Sequence, residues 1–219
     1  ANNIGDKQVR SMGTIGGSVA NNDPAACYPS ALLALGATVN TDKRSIKADD
    51  FFQGLYTTAL DAGEIITSVS FPIPTKAAYA KFNQPASRFA LVGVAVVRAI
   101  NDDVRVAVTG LGQGVMRWHE AEIALTEAWQ VQALDTLDFD ATQAQSDIHA
   151  SALYRAHLVS VLCRRAVAAA TGESAVMPRR TPIARASGMP SPSVSGLPTT
   201  TVLDSLGVGD TGKLAKVGA

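Results

Sequence analysis

Cysteine is scarce in this chain, which has only Cys27 and Cys163 among its 219 residues. Two cysteines cannot form a disulfide framework, and a chain of this length can bury a core without one. Such sparse usage is typical of a reducing compartment. The sequence therefore predicts a cytoplasmic protein.

Charge of one sign and long apolar runs are also missing. The 19 lysines and arginines balance the 19 aspartates and glutamates, so no overall field attracts nucleic acid or an anionic surface. No apolar run approaches the roughly 18 residues that a membrane span requires, and the first ten residues lack the apolar core of a secretion signal. We therefore expect no nucleic-acid partner and no transmembrane segment.

A glycine-rich stretch, RSMGTIGGSVANNDPAA, occupies residues 10–26. Glycines that adopt positive φ can gather backbone N–H groups around a phosphate, and Thr14 and Ser18 place hydroxyl groups beside Gly16 and Gly17. A P-loop is excluded because no lysine occurs between residues 11 and 42. Two interpretations stay open: a loop that binds a diphosphate through neutral donors, and a tight turn between a strand and a helix. Asp23-Pro24 also suits a helix start, with aspartate at the N-cap.

A second glycine cluster, TGLGQG, covers residues 109–114. Its spacing does not fit the dinucleotide-binding pattern G-x-G-x-x-G, because Gly114 comes one position too early. The preceding strand also belongs to a predicted hairpin and not to a βαβ unit. The cluster is therefore a weak candidate for a nucleotide site.

The order of predicted elements indicates an α+β fold. A helix over residues 31–35 ends at Gly36, and strands follow near 45–47 and 64–71. Residues 78–112 predict three antiparallel strands, the second pair joined by a turn at 101–103. Helical spacing comes later, and the residues near its apolar stripe are Ile148, Leu153, Leu158, Val161 and Leu162. We predict domains at 1–76 and 77–170, and a flexible tail rich in proline, serine and glycine at 171–219.

Three stretches resemble, in order and spacing, the FAD-binding medium subunit of carbon monoxide dehydrogenase-like molybdenum hydroxylases, a module that recurs in xanthine dehydrogenase. They are GDKQVRSMGTIGGSVANNDPAACYPSALLALGATV, FFQGLYTTALDAGEIITSVSFPIP and KFNQPASRFALVGVAV. The resemblance implies the second lobe of a PCMH-type FAD-binding domain, followed by a C-terminal domain of a three-stranded antiparallel sheet with helices. The family's first glycine loop, A-G-G-x-S/T, has no match here. The sequence thus resembles a medium subunit without its N-terminal lobe, and we expect low FAD affinity unless another chain supplies that lobe.

The resemblance also implies which residues contact FAD. Residues 14–18 would face the pyrophosphate and ribityl chain, and Asp23 would continue that wall or only cap a helix. Cys27 stands where the family usually has an acidic residue, and Asn83 where relatives often carry lysine or arginine. Ile66 and Phe89 would lie at the flavin ring, although either could be an ordinary core residue. The complete predicted set is Thr14, Ile15, Gly16, Gly17, Ser18, Asn21, Asp23, Cys27, Ile66, Asn83 and Phe89.

The implied function is that of an oxidoreductase subunit. FAD would accept electrons from 2Fe–2S clusters in an iron–sulfur small subunit, after substrate oxidation at the molybdopterin cofactor of a large subunit, and would pass them to an external acceptor. Two distant cysteines cannot hold such a cluster, and the three histidines show no metal-ligand spacing, so we expect no metal site in this chain. Two alternatives stay open: a truncated, non-catalytic assembly module, and an unrelated nucleotide-binding domain built on TGLGQG.

Overall fold

The computed structural model describes residues 4–5 and 7–173. The predicted tail therefore lies outside the described residues from position 174 onward. The α-helices are α1 (Lys7–Met12), α2 (Ile15–Asn21), α3 (Cys27–Leu35), α4 (Ala48–Phe51), α5 (His119–Glu127) and α6 (Ala152–Thr171). The strands are β1 (Thr38–Thr41), β2 (Ser45–Lys47), β3 (Phe52–Gly54), β4 (Thr57–Thr58), β5 (Ile66–Ser70), β6 (Lys76–Asn83), β7 (Ala90–Arg98), β8 (Val104–Thr109) and β9 (Met116–Arg117).

The first part of the chain joins three short helices to a small antiparallel sheet. Helix α3 ends at Gly36, which has φ of 60° and whose N–H bonds back to the helix; this is the predicted helix stop. Strands β2, β1 and β5 then pair in the order β2-β1-β5. Val19, Leu32 and Phe51 form the centre of the core that these elements enclose.

The second part is built on an antiparallel sheet in the order β6-β7-β8-β9. All three predicted strands are present, and a two-residue fourth strand, β9, joins the edge of β8. Strand β7 reads as a continuous apolar run because both of its faces are buried. Val92, Val94 and Val96 pack towards α6, whereas Ala95 and Val97 pack with α3. The sheet is therefore a shared layer between two sets of helices, which confirms the α+β class.

Helix α6 covers one face of this sheet, and the predicted stripe is only partly correct. Leu158 and Leu162 are buried as expected. Ile148 is 95% exposed and Leu153 75% exposed. The helix begins after Ser151, whose side chain accepts a hydrogen bond from the Tyr154 N–H. Ile148 thus precedes the helix, so helical periodicity does not apply to it.

Candidate functional site

A large cavity opens where α1, α2 and the start of α3 meet the loop before β7. Its volume is about 770 Å³, within the range of small-molecule and cofactor sites. We name it the α2–α3 cavity. It is lined by Ile4, Gly5, Val9, Arg10, Met12, Gly13, Thr14, Gly17, Ser18, Asn21, Asp23, Ala25, Ala26, Cys27, Tyr28 and Phe89.

The TIGGS segment is a helix and not a phosphate-wrapping loop. Thr14 is the N-cap of α2, and its side-chain oxygen accepts a hydrogen bond from the Gly17 N–H at 3.0 Å. Gly16 and Gly17 lie inside α2, and neither has positive φ. The expectation that these glycines use positive φ to form a hollow is wrong. The threonine cap outweighs the low helix propensity of two glycines.

Helical spacing decides which residues of this segment reach the cavity. Thr14, Gly17, Ser18 and Asn21 recur at intervals of three or four and line it. Ile15 and Gly16 do not line it, and Gly16 instead lies next to Ile66 on β5. The cavity wall is therefore one stripe of a helix that carries hydroxyl, amide and glycine positions.

The Asp23-Pro24 pair is not a helix start. Helix α3 begins at Cys27, and its N-cap residue Ala26 makes no side-chain cap bond. The Asp23 carboxylate instead accepts a hydrogen bond from the Ala25 N–H at 2.8 Å, which closes a local turn. The Pro24 carbonyl accepts hydrogen bonds from the Gly110 N–H at 2.7 Å and the Thr109 hydroxyl at 2.8 Å. The α2–α3 connection is therefore fixed to the end of β8.

Asn22 anchors the other end of this wall. It ends α2 in the left-handed conformation with φ of 45°, and it is fully buried. Its side-chain amide donates hydrogen bonds to the carbonyls of Gly54 at 2.7 Å and Thr57 at 2.9 Å. Helix α2 is thus held to the β3–β4 hairpin, and its cavity-facing stripe keeps a fixed direction.

Cys27 lies at the junction of α3 and the sheet. Its sulfur is 3.6 Å from Nζ of Lys81 on β6. The side chains of Cys27 and Ser30 are both close enough to the Tyr79 hydroxyl to influence its pKa. Burial, together with the neighbouring Cys27, raises the pKa of Tyr79 above its ordinary value, so the phenol stays protonated at neutral pH. A thiol and an ammonium group therefore meet beside a tyrosine, at the position where the sequence resemblance implies an acidic residue.

The remaining predicted residues separate into two groups. Phe89 lines the α2–α3 cavity and is 39% exposed, so it is not an ordinary core residue. Ile66 and Asn83 do not line the cavity. Ile66 packs on the core beneath α2, and Asn83 is exposed at a β-bulge where β6 meets β7. Their proposed contacts with FAD stay predictions.

Sequence reasoning did not single out nine of the residues that line the cavity, among them Arg10 and Tyr28, nor Lys81 beside it. Arg10 lines the cavity and donates hydrogen bonds to the carbonyls of Ile4 at 3.0 Å and Gly5 at 2.7 Å. Tyr28 also lines the cavity. Lys81 does not line it but contacts the lining residue Cys27. Arg10 and Tyr28 lie within the first quoted stretch and Lys81 within the third. Membership of these family-like stretches is a signal that could have made the three residues candidates. No local pattern distinguishes them from the other residues of the same stretches.

The second glycine cluster lies against a different and smaller cavity of about 210 Å³. Gly110 has φ of 90°, and a Cβ there would collide with the backbone carbonyl of Leu91. A side chain at Gly112, where φ is 87°, would meet Gln145. Glycine is therefore required at both positions by the packing of the chain itself. This explanation needs no bound nucleotide.

Metal-ligand groups and membrane helices were sought over the same described residues. Within residues 4–5 and 7–173, no group of three or more histidine, cysteine, aspartate or glutamate side chains is placed to hold a metal ion. Cys163 is fully buried in α6, and burial raises the pKa of its thiol to about 12. In the same part of the chain, none of the helices has both the length and the hydropathy that crossing a bilayer requires.

Family models match both parts of the chain. Residues 1–74 match the FAD binding domain in molybdopterin dehydrogenase, and residues 77–170 match the CO dehydrogenase flavoprotein C-terminal domain. The α+β fold with its cofactor-sized cavity is thus that of an FAD-binding flavoprotein. The chain belongs to the family of FAD-binding medium subunits of carbon monoxide dehydrogenase-like molybdenum hydroxylases, as the sequence resemblance implied.

Individual relatives agree with this family. The nicotine 6-hydroxylase medium subunit of Paenarthrobacter nicotinovorans is 38% identical over 177 residues, which are 75% of this chain and 62% of the relative. The carbon monoxide dehydrogenase medium chain of Afipia carboxidovorans is 32% identical over 179 residues, again 75% and 62%. A solved structure of CO dehydrogenase from Oligotropha carboxidovorans matches with a TM-score of 0.68 and 30% identity, over 78% of this chain and 65% of that one. The chain therefore spans about six tenths of the length of such relatives.

Proposed function

We propose that this chain is the flavoprotein subunit of a molybdenum hydroxylase and that it binds FAD in the α2–α3 cavity. The observation that carries the proposal is the cavity itself. It brings together seven of the eleven predicted FAD contacts, namely Thr14, Gly17, Ser18, Asn21, Asp23, Cys27 and Phe89. Six of them lie between residues 14 and 27, and the fold brings Phe89 to the same cavity from the loop before β7.

The chemistry of the lining suits a dinucleotide that is polar along its chain and apolar at its ring. Hydroxyl and amide groups of Thr14, Ser18 and Asn21 can hydrogen-bond phosphate or ribityl oxygens. Arg10 adds a cation that attracts a diphosphate. Val9 and Phe89 supply apolar surface. Polar and apolar partners for FAD are therefore both present in one cavity.

The residues of this chain would bind, orient and shield the cofactor, since FAD itself supplies the redox chemistry when bound. The stripe on α2 would hold the diphosphate. Phe89 would cover the flavin ring and exclude water from it, and such a contact changes the reduction potential of a flavin. We assign no proton-transfer residue in this chain.

The wider role is proposed from the relatives, which are named as medium subunits or medium chains of hydroxylases and dehydrogenases. We propose that FAD receives electrons from the 2Fe–2S clusters of an iron–sulfur small subunit. A molybdopterin large subunit would oxidise the substrate, and an external acceptor would reoxidise the flavin. We place the complex in the cytoplasm, in keeping with two cysteines that are both free thiols.

The two cysteines provide a direct test of FAD binding that does not depend on turnover. Cys27 lines the cavity, whereas Cys163 is fully buried and its pKa of about 12 keeps it a thiol. In the native full chain, N-ethylmaleimide should therefore modify Cys27 and spare Cys163. Saturating FAD should slow the modification of Cys27 about tenfold or more, because an occupied cavity excludes the reagent.

The Cys27→Ser variant serves as the control and should incorporate no label under native conditions. Riboflavin, which lacks the diphosphate and adenosine, should protect less than FAD at equal concentration. If FAD binds while Cys27 reacts at its original rate, the cofactor occupies another place. If FAD does not bind, the chain is better described as an assembly module.

A further inference from the structure

Lys81 connects two walls of the α2–α3 cavity. Its Nζ donates a hydrogen bond to the Arg88 carbonyl at 3.1 Å and lies 3.6 Å from the sulfur of Cys27. The Arg88 carbonyl belongs to the peptide bond that leads into Phe89. Cys27 and Phe89 both line the cavity, one at the start of α3 and the other after β6. One ammonium group thus contacts both walls.

The turn that carries Phe89 is held in an unusual conformation. Arg88 has φ of 61°, a left-handed geometry that is unfavourable for a residue with a side chain. The Gln84 carbonyl accepts a hydrogen bond from the Arg88 N–H at 2.8 Å, and the Phe89 carbonyl accepts one from the Gln84 N–H at 2.8 Å. These bonds close the turn on itself. Lys81 joins this turn to α3 through its contacts with the Arg88 carbonyl and the Cys27 sulfur.

Alternation along β6 explains why Lys81 is placed for this role. Ala78, Ala80 and Phe82 pack against the core beneath α6. Tyr79 and Lys81 point to the opposite face, where α3 lies. A long side chain at position 81 therefore reaches the start of α3 and the turn together, while a shorter one would reach neither.

We propose that Lys81 is the positioning residue of the flavin site and that it fixes Phe89 relative to Cys27. The proposal rests on the FAD site proposed above and adds the residue that sets the distance between its two walls. Lys81 does this by holding the Arg88–Phe89 peptide in one orientation. Without that bond the turn would open more often, and Phe89 would no longer keep a single position beside the ring.

The first measurement uses the full chain without FAD. Amide hydrogen exchange over residues 84–89 reports how often the turn opens, through the bonded N–H groups of Gln84 and Arg88. We expect Lys81→Met to speed exchange there about tenfold, since the turn loses a hydrogen bond from a charged donor. Lys81→Arg, which keeps a cationic donor, should restore most of the protection.

The control is Lys76→Met, a matched change at the exposed first residue of the same strand. It should leave exchange over residues 84–89 unchanged. Equal exchange in the wild type and in Lys81→Met would overturn the proposal, whatever the outcome with FAD. So would a uniform rise in exchange over the whole sheet, because it would show that Lys81 serves general stability.

The second measurement adds FAD and separates this inference from the proposed function. Circular dichroism of the flavin's visible band reports the asymmetric contact with Phe89. We expect Lys81→Met to weaken that signal and to lower FAD affinity about tenfold, and Lys81→Arg to recover both. A wild type that fails to bind FAD contradicts the proposed function, while the exchange data still decide the role of Lys81. A Lys81→Met variant that binds FAD with the wild-type affinity and spectrum would overturn the inference alone.

Discussion

Two adjacent glycines of α2 provide a matched pair for testing the orientation of the helix at the cavity. Both have negative φ, so an alanine is tolerated by the backbone at either position. Gly17 faces the cavity and Gly16 does not. A Cβ at Gly16 would lie 3.9 Å from Cβ of Ile66, which is ordinary van der Waals contact. A Cβ at Gly17 would lie 3.1 Å from Oγ1 of Thr14, the atom that caps the helix.

The two substitutions should therefore differ in both stability and binding. Gly16→Ala should stabilise the chain by about 0.5–1 kcal/mol through helix propensity, raising the melting temperature by roughly 1–4 °C. Gly17→Ala gains the same propensity but strains the Thr14 cap, which contributes about 1 kcal/mol, so its melting temperature should change little. Its methyl group also occupies cavity space, and overpacking of about 1–3 kcal/mol predicts a loss of FAD affinity of about tenfold or more.

The assay is a titration of each variant with FAD, followed by quenching of flavin fluorescence, with thermal unfolding in parallel. Gly16→Ala should bind FAD like the wild type. If both variants lose affinity equally, both glycines contact the cofactor and the helical stripe is not its binding surface. If Gly16→Ala alone loses affinity, α2 contacts FAD through the face that carries Gly16.

The other predictions concern Arg155, which ties the sheet to the loop before α6. Its side chain donates hydrogen bonds to the carbonyls of Leu91 at 2.7 Å and Gly110 at 2.5 Å, and to Asp147 at 2.6 Å. Arg155→Met should cost about 3 kcal/mol or more in urea unfolding, because it removes a buried cation and leaves its acceptors unpaired; a loss below about 1 kcal/mol would contradict this role. Partial burial raises the pKa of the Asp147 carboxyl group, but hydrogen bonds from Arg155 and two backbone amides lower it more. The resulting pKa is about 2, below the unfolded value of about 4. The carboxylate therefore contributes to the free energy of unfolding above about pH 4, and this contribution is lost as the pH falls towards 2. Asp147→Asn should reduce the loss of stability between about pH 4 and 2, measured by urea unfolding. Parallel plots of stability against pH for the variant and the wild type would refute this role.

Much of the fold follows from local signals in the sequence. Gly36 ends α3 as predicted, and the three long strands of the larger sheet lie where alternation and the turn at 101–103 placed them. The continuous apolar run of β7 reports burial on both faces, although it cannot say which helices cover them. The TIGGS and DPAA motifs carried the family assignment, which the family models confirm.

The wrong predictions arise where a local sequence pattern is overridden by a helix cap or by a hydrogen bond to a distant residue. Helical spacing extended the apolar stripe back to Ile148, but Ser151 starts α6 three residues later. Glycine content suggested a loop at residues 14–18, whereas the Thr14 side chain caps a helix there. Aspartate is a common helix N-cap, yet Asp23 closes a turn. The Pro24 carbonyl that follows it accepts hydrogen bonds from Gly110 and Thr109. A cap or a long-range hydrogen bond decided each of these cases.

The sequence by itself determined the fold class, the main strands and the family, because periodicity, turn residues and short motifs act between neighbours in the chain. Tertiary structure alone decided which predicted residues share a cavity. Cys27 and Lys81 are separated by 54 positions, and they meet because α3 packs on one face of the sheet. Side chains so distant are brought together by the burial of a common core, and no local pattern records the direction in which that core orients them.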